Sequence, residues 1–279
     1  MLWHTSRFHI DLSRPRVMGI VNVTPDSFSD GGSHDDAAAA CRHCDRLLAE
    51  GADILDIGGE STRPGARTPS TDEELARVLP VLRHAVGLGV PVSVDTSQPE
   101  VMAAALDLGV DIINDVRALQ RPGALAAVAA HPRAGVCLMH MRGEPGSMQA
   151  LTGYSDVLAE VAGFLRQRLA DVTAAGVASE RVVLDPGIGF AKTPEQNWAL
   201  LQRQRELLAL GRPLLLGWSR KSTLGLLTGR PVGQRLAASV AAALACVQSG
   251  AQIVRVHDVA ETVDALRVWQ AAGLLAVAV

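Results

Sequence analysis

The sequence is poor in aromatic residues (3%), carries four cysteines in 279 residues, and contains no cluster of four or more Lys or Arg. Each shortage excludes a class of protein. Four cysteines in so long a chain make no disulfide framework, so a reducing cytoplasm is the expected setting. Lys plus Arg (26) nearly balance Asp plus Glu (29), for a formal net charge of −3, and the one-signed excess of a nucleic-acid binder is missing. No nucleic-acid partner is expected. The first residues, MLWHTSRFHIDLSRPRVM, hold no apolar signal region, and the longest apolar stretch, 236–247, falls short of the roughly 20 residues of a membrane helix. No membrane association is expected either.

What is present is alternation. Short β-branched runs ending in polar residues are read as strands at 17–23, 53–59, 90–95, 111–115, 135–141, 181–185, 214–219 and 253–258. Segments of helical spacing follow them at 35–50, 71–86, 99–108, 122–130, 156–175, 194–210, 232–249 and 260–272. Thr71 with Glu74, Ser97 with Glu100, and Thr193-Pro194 with Gln196 resemble capping boxes that mark helix starts. Continuous apolar strands suit a parallel sheet covered by helices, and eight units in strict alternation close into a single (β/α)8 TIM barrel of the α/β class. A doubly wound sheet is the fallback. No linker or composition break divides the chain, so one domain is expected over 1–279, with a short N-terminal arm at 1–16.

In a barrel of this kind the chemistry sits where the strands end. Those ends offer Asn22, the run Gly58 to Arg63, Asp95, Asn114-Asp115, His140 to Arg142, Asp185, Ser219 to Lys221, and Arg255 to Asp258. Strand periodicity puts Arg255 and His257 on one face and Val254 and Val256 on the other. Arg255, His257 and glycine-loop N–H groups together suggest a phosphate or pyrophosphate site; a structural pair between Arg255 and Asp258 is the plainer alternative. Asp95, Asn114, Asp185 and Lys221 mix acceptors with donors and suit a flat heterocycle with an amino-imine edge. Asp95 and Asp185 could equally be a metal pair or an acid–base pair, and spacing leaves the choice open. The segment 22–32 is rich in Gly, Ser and Asp and reads as a mobile lid whose oxygens could help hold Mg²⁺ beside a pyrophosphate.

Other features read as packing. Cys41 and Cys44 spell C-x-x-C on an Ala-rich helix without a second pair, and Cys137 and Cys246 fall in a strand and a helix. Asp56 shares parity with Ile54 and Gly58, points inward, and is expected to steady Asn22. His4, His9, His34, His84 and His131 are expected to be solvated, and His140 to be a structural hydrogen-bonder near the mouth. The small-residue segment 232–249 leaves an apolar outer surface, which points to a homodimer formed through it and the adjacent outer ring.

Taken together, MGIVNVTPDSFSDGG (18–32), DIGGESTRPGA (56–66), SVDTSQPEV (93–101), IINDV (112–116), CLMHMRG (137–143), VLDPGIGFAKT (183–193), GWSRKS (217–222) and RVHDV (255–259) resemble the dihydropteroate synthase family in family order over nearly the whole chain. The resemblance implies a (β/α)8 barrel that joins 7,8-dihydropterin-6-ylmethyl diphosphate to p-aminobenzoate in folate biosynthesis, with Mg²⁺. It places the pterin on Asp95, Asn114, Asp185 and Lys221, with Met139 and Ile20 at its faces and Arg255 stacked over it. The diphosphate would meet Asn22, Thr62, Arg63, Arg255 and His257, with Asn22 on the metal; aminobenzoate would lie near Phe28, Thr62, Pro64, Phe190 and Ser219. Arg63, Lys221, Arg255 and His257 would then carry catalysis. Ile188, Ala191 and Trp218 depart from the family pattern, and either repack helices on the sheet or reshape the aminobenzoate side. The competing readings are a pterin-binding methyltransferase barrel, a pterin-binding protein without catalysis, and a phosphate-binding aldolase using Lys221 as a Schiff base.

Overall fold

The computed structural model of the chain describes residues 1–24, 33–61 and 67–275. The chain opens with an antiparallel hairpin, β1 (Leu2–His4) and β2 (His9–Asp11), in which Trp3 pairs with Ile10. Eight parallel strands follow: β3 (Arg16–Asn22), β4 (Ile54–Gly58), β5 (Val92–Asp95), β6 (Ile112–Asp115), β7 (Gly135–Met139), β8 (Val182–Asp185), β9 (Leu215–Leu216) and β10 (Ile253–Val256). They hydrogen-bond in the order β8-β7-β6-β5-β4-β3-β10-β9, and a parallel bridge between Leu184 and Leu214 joins the two ends, closing the TIM barrel. Around it run α1 (Ser33–Ala49), α2 (Thr71–Val86), α3 (Pro99–Asp107), α4 (Ala124–Ala130), α5 (Val157–Ala174), α6 (Pro194–Gln202), α7 (Ser222–Thr228), α8 (Leu236–Gln248) and α9 (Val259–Ala271).

Strand parity divides the core in two. Outward residues such as Val21, Leu55, Val94, Ile113, Val136, Leu184 and Val254 pack under the helices in one large cluster. Inward residues Met18, Ile54, Ile112, Cys137, Val183, Leu215 and Ile253 form a second cluster with Trp3, Ile10 and Leu12 of the N-terminal segment. The expected arm is therefore a hairpin that plugs the barrel from below, and the Trp3 indole N–H donates to the Arg181 carbonyl at 2.8 Å. Nearby, the fully buried Asp111 carboxylate takes the Arg7 guanidinium at 2.6 Å and the Val92 N–H at 2.9 Å.

Boundaries differ from the sequence reading where side chains found other partners. Ser70, one residue earlier than expected, caps α2: its hydroxyl accepts from Glu73 N–H and the Glu73 carboxylate accepts from Ser70 N–H at 2.8 Å. Ser97 is not a cap, because its hydroxyl donates to buried Asp115, and α3 starts at Pro99 without a side-chain cap. The Thr193–Gln196 box is as expected, with Pro194 at the first turn. The helix expected over 194–210 ends at Gln202 and continues as a 3-10 turn, Gln204–Leu210, in which buried Gln204 donates to the Cys246 carbonyl at 2.8 Å. The segment 232–249 is likewise a 3-10 turn, Val232–Gln234, followed by α8, and the unforeseen α7 precedes it. Cys44 is wholly buried inside α1, and burial pushes its thiol up to about 12, as suits a packing residue. Among the described residues no helix is long and apolar enough to cross a membrane.

Candidate active site

The site begins two residues above the apolar plug. Moving two positions along a strand returns a side chain to the same face. From Met18, Ile54, Ile112, Cys137, Val183 and Ile253 that step leads to Ile20, Asp56, Asn114, Met139, Asp185 and Arg255. Asp95, at the end of β5, pairs in register with Gly58 on one side and Asn114 on the other. One ring of strands thus carries an apolar floor and, directly on it, a polar layer.

Arg255 sits at the centre of that layer. Its Nε donates to Asp56 at 2.5 Å and its Nη2 to Asp95 at 2.7 Å. The same Asp56 oxygen accepts from Asn114 Nδ2 at 3.1 Å, so one fully buried carboxylate orients two of the expected ligand-binding side chains. Its other oxygen has no hydrogen-bond partner among the described residues. Burial works against the Arg255 charge, but Asp56 and Asp95 more than offset it and hold the guanidinium firmly protonated. The plainer alternative for Arg255 is excluded: Asp258 pairs with Arg220 at 2.5 Å instead. Asp56 does not steady Asn22 as expected; it holds Asn114 and Arg255.

Two carboxyls of the layer, on β5 and β8, have different partners. Burial pushes Asp95 up to about 7, against the pull of Arg255. Burial also pushes Asp185 up to about 6, against the Gly187 N–H, which donates to it at 2.7 Å, and the Lys221 charge. Lys221 follows β9, and burial pushes its ammonium down to about 8 while Asp185 pulls it back. Its Nζ lies 4.2 Å from the centre of the Phe190 ring, a cation–π contact that fixes one wall of the site. Ile20 and Met139 are buried at the strand ends as apolar lining. The protein therefore presents acceptors at Asp95 and Asp185, and donors at Asn114, Lys221 and Arg255, around an apolar floor. That pattern matches a flat heterocycle with both kinds of edge atom.

Higher in the mouth, His257 takes a hydrogen bond pattern from Ser219: the His257 N–H donates to Ser219 Oγ at 3.1 Å and Nδ1 lies 3.0 Å from the same oxygen. Burial, then Arg220 and Arg255, push its imidazole down to about 3, so the ring is neutral and offers an N–H rather than a charge. Asn22 ends β3 half-buried, level with Gly58. Phe28, Thr62, Arg63 and Pro64, with most of the expected lid, lie outside the described residues. Trp218 and Ile188 are buried in the outer core, Trp218 with its ring 4.8 Å from that of Trp198, so both pack between helices and sheet.

Two groups near the site were not read from the sequence. Arg117, after β6, is buried and pairs with Glu60 at 3.2 Å and Glu144 at 2.7 Å, tying together the loops of three strands. These residues are far apart in the chain and no local pattern announces them. The other is Lys192, whose Nζ is buried among His140 Nδ1 and the carbonyls of Gly187 and Phe190. A signal did exist for it, since the whole chain contains only two lysines, Lys192 and Lys221.

Comparison with known proteins adds a family. The profile of pterin binding enzymes matches residues 18–257. The chain is 54% identical to the dihydropteroate synthase of Neisseria meningitidis, over 98% of each protein, and 49% identical to that of Escherichia coli, over 94% of this chain and 93% of the other. Among solved structures, Xanthomonas albilineans dihydropteroate synthase with 4-aminobenzoic acid superposes with a TM-score of 0.90 at 53% identity, covering 95% of each chain. The same organism's enzyme in complex with 7,8-dihydropteroate gives a TM-score of 0.90 at 49% identity, over 98% of this chain and 99% of that one. A Yersinia pestis dihydropteroate synthase in a sulfonamide drug complex gives 0.93 at 46% identity, over 98% and 99%.

Proposed function

The chain belongs to the dihydropteroate synthase family of pterin-binding enzymes, and we infer that it joins 7,8-dihydropterin-6-ylmethyl diphosphate to p-aminobenzoate, forming 7,8-dihydropteroate and diphosphate in folate biosynthesis. The observation that carries this reading is the polar layer of Asp95, Asn114, Asp185, Lys221 and Arg255 laid on an apolar floor within the barrel. In the reaction the methylene C–O bond to diphosphate breaks and a C–N bond to the aromatic amine forms, with the amine proton leaving to water. The protein's work is to place the two reactants and to balance charge.

The pterin edge is assigned to Asp95 and Asp185 as acceptors and to Asn114 and Lys221 as donors, with Ile20 and Met139 against its faces. As the leaving group departs, positive charge spreads into the pterin, and the two carboxylates stabilise it. Arg255 stacks over the ring and, with Asn22, Thr62, Arg63 and His257, receives the diphosphate. His257 enters as a neutral donor, and a bound polyanion favours its protonation. Aminobenzoate is assigned to the wall of Phe190 and Ser219, completed by Phe28, Thr62 and Pro64. Arg63, Lys221, Arg255 and His257 are the proposed catalytic residues, and the whole chain, hairpin included, is proposed to work as one unit.

Mg²⁺ fits this donor set at Asn22. Among the described residues no group of three His, Cys, Asp or Glu side chains gathers to hold a metal unaided, so an amide oxygen at a strand end suits a hard cation whose other ligands are diphosphate oxygens and water. When bound there it supplies positive charge to the leaving diphosphate. A homodimer is proposed through the segment 232–249 and the adjacent α7 and α9, where Leu226, Leu227, Val232 and Val268 are exposed. A sedimentation run showing only a 29.3 kDa species at micromolar concentration would overturn it. Sulfonamides are proposed to compete for the aminobenzoate wall, and the cytoplasm is the proposed location.

The test is a coupled assay with dihydropterin diphosphate, p-aminobenzoate and Mg²⁺ that follows diphosphate release and pteroate formation together. Both products should appear only when all components are present. Pterin binding without pteroate formation would instead favour a methyltransferase or a binding protein on the same barrel.

A further inference from the structure

Arginine supplies almost all the positive charge of this chain: 24 residues, against two lysines. One lysine, Lys221, belongs to the site already described. The other, Lys192, is 3% exposed and, among the described residues, hydrogen-bonds to no acidic side chain. Its Nζ lies 3.0 Å from His140 Nδ1, 2.9 Å from the Gly187 carbonyl oxygen and 2.9 Å from the Phe190 carbonyl oxygen. A lysine ammonium has three hydrogens and no lone pair. Three hydrogens meet three acceptors, and His140 Nδ1 must then be unprotonated. The surroundings agree on the order of protonation: burial pushes Lys192 down to about 7, and burial with the Lys192 charge pushes the His140 imidazole further, to about 2, so below neutral pH the proton sits on the lysine. A planar guanidinium would not direct hydrogens at three acceptors converging on a single nitrogen, which explains a lysine here in a chain that otherwise uses arginine.

The carbonyls that Lys192 grips belong to the turn joining the site's carboxylate to its aromatic wall. Gly187 N–H donates to Asp185, and Phe190 N–H donates to the Gly187 carbonyl at 3.1 Å. Gly187 has φ of +70°, and a Cβ there would lie 2.0 Å from the His140 carbonyl oxygen, so the turn is pressed against the residue that follows β7. Further along, Gly189 N–H donates to Asn197 at 2.8 Å, which leaves the Phe190 carbonyl held by Lys192. We propose that Lys192 is a positioning residue of the synthase site, whose ammonium gives one hydrogen each to His140, Gly187 and Phe190 and thereby sets the Phe190 ring against Lys221. The proposal rests on the reading of the chain as a synthase with aminobenzoate beside Phe190. Because Lys192 grips Phe190 directly and Asp185 only through Gly187, the aminobenzoate side depends on it more than the pterin side.

The experiment compares the intact chain with Lys192→Met and Lys192→Arg in steady-state kinetics and in separate pterin-binding titrations. Both variants should raise KM for p-aminobenzoate by about tenfold, with kcat and pterin affinity changed less than about threefold. The Arg variant keeps the charge and should still fail, since the donor geometry is lost. Folded variants with unchanged KM, or with equal losses toward both substrates, would overturn the proposal. A wild-type chain that makes no pteroate would sink the synthase reading itself, and the second measurement would still decide on Lys192. That measurement needs no variant. Lysine labelled at Cε and Nζ gives two sets of NMR signals in this chain, one per lysine. At pH 6 the Lys192 set should be an ammonium with slowly exchanging hydrogens, and His140 Nδ1 should carry the shift of an unprotonated acceptor. Adding p-aminobenzoate with diphosphate should move the Lys221 set and leave Lys192 slow. A neutral or freely exchanging Lys192, or a proton on His140 Nδ1, would overturn the donor assignment.

Discussion

Two layers of the same barrel, a single strand repeat apart, do opposite work. Below, Met18, Ile54, Ile112, Cys137, Val183 and Ile253 close on Trp3 of the hairpin as an apolar plug. Above, on the same strands and the same face, Asp56, Asn114 and Arg255 are buried or half-buried polar groups tied into one network, and Asp185 is buried with the Gly187 N–H as its partner. The lower layer gains by excluding water. The upper layer loses by it, since each buried charge must be matched, and the mismatch left over is what a ligand can satisfy. Burial is what raises Asp95 and Asp185, so the cost of the upper layer is visible in its own carboxyls.

Asp56→Ala should break the upper layer most severely. It strips the buried partner from both Arg255 and Asn114, and should destabilise the chain by about 3–5 kcal/mol while abolishing measurable pterin binding. Denaturant unfolding and pterin titration check both parts, and a stable variant with normal binding would remove Asp56 from the network. Trp3→Ala should cost a similar ~3–5 kcal/mol through its cavity and lost hydrogen bond. Its kcat/KM per folded molecule should stay near that of the parent, which separates the floor from the site; a proportionate loss of activity would deny the separation.

Asp185→Asn keeps the shape and exchanges an acceptor-only group for one that also donates, so pterin affinity should fall by about tenfold to a hundredfold. Unchanged affinity would take Asp185 out of the pocket. The same residue predicts a pH effect of known sign. Its folded-state pKa, about 6, lies above the ordinary value of 3.8, so the native chain holds a proton that the unfolded chain has released. Its contribution to stability is full below pH 3.8 and is lost as pH rises through about 6. Pterin binding runs the other way, because it needs the carboxylate, and protonation of Asp185 alone should weaken it by about tenfold between pH 8 and pH 5. Asp185→Asn should remove the Asp185 share of both curves and leave the share of Asp95, which burial raises to about 7; curves unchanged by the substitution would assign both to Asp95. Smallest in binding, His257→Ala should slow turnover by about tenfold or more yet leave affinity for a pterin lacking diphosphate unchanged; an equal loss in both would argue against a diphosphate role.

Much of the site was legible in the sequence because a strand has a fixed two-residue period. Once the strands were placed, parity put Asp56, Arg255 and His257 on the inner face and the strand ends offered Asp95, Asn114 and Asp185; the structure carries Asp56, Asn114, Asp185 and Arg255 two residues above the inward apolar floor. The sequence does not say which of these polar groups pair. Arg255 had a neighbour in sequence, Asp258, and instead pairs across the barrel with Asp56 and Asp95, because those carboxylates are buried and Asp258 has Arg220. The caps show the same limit on a small scale. A Ser/Thr-x-x-Glu pattern fits α2 in two registers one residue apart, and the extended backbone at Ser70 selects one.

Alternation of apolar runs, the polar residue at each strand end and the motifs that mark the family are all local, so the chain's order alone determined the barrel, its reactive face and its relatives. Tertiary structure decided the rest. That Trp3 becomes the floor of the barrel, that one carboxylate at Asp56 serves two strands, and that Lys192 fits three acceptors drawn from the loops after β7 and β8 are facts about distance between residues remote in the chain. The physical reason is that a hydrogen bond or ion pair is fixed by where closure of the sheet brings its two ends, and closure depends on every strand at once.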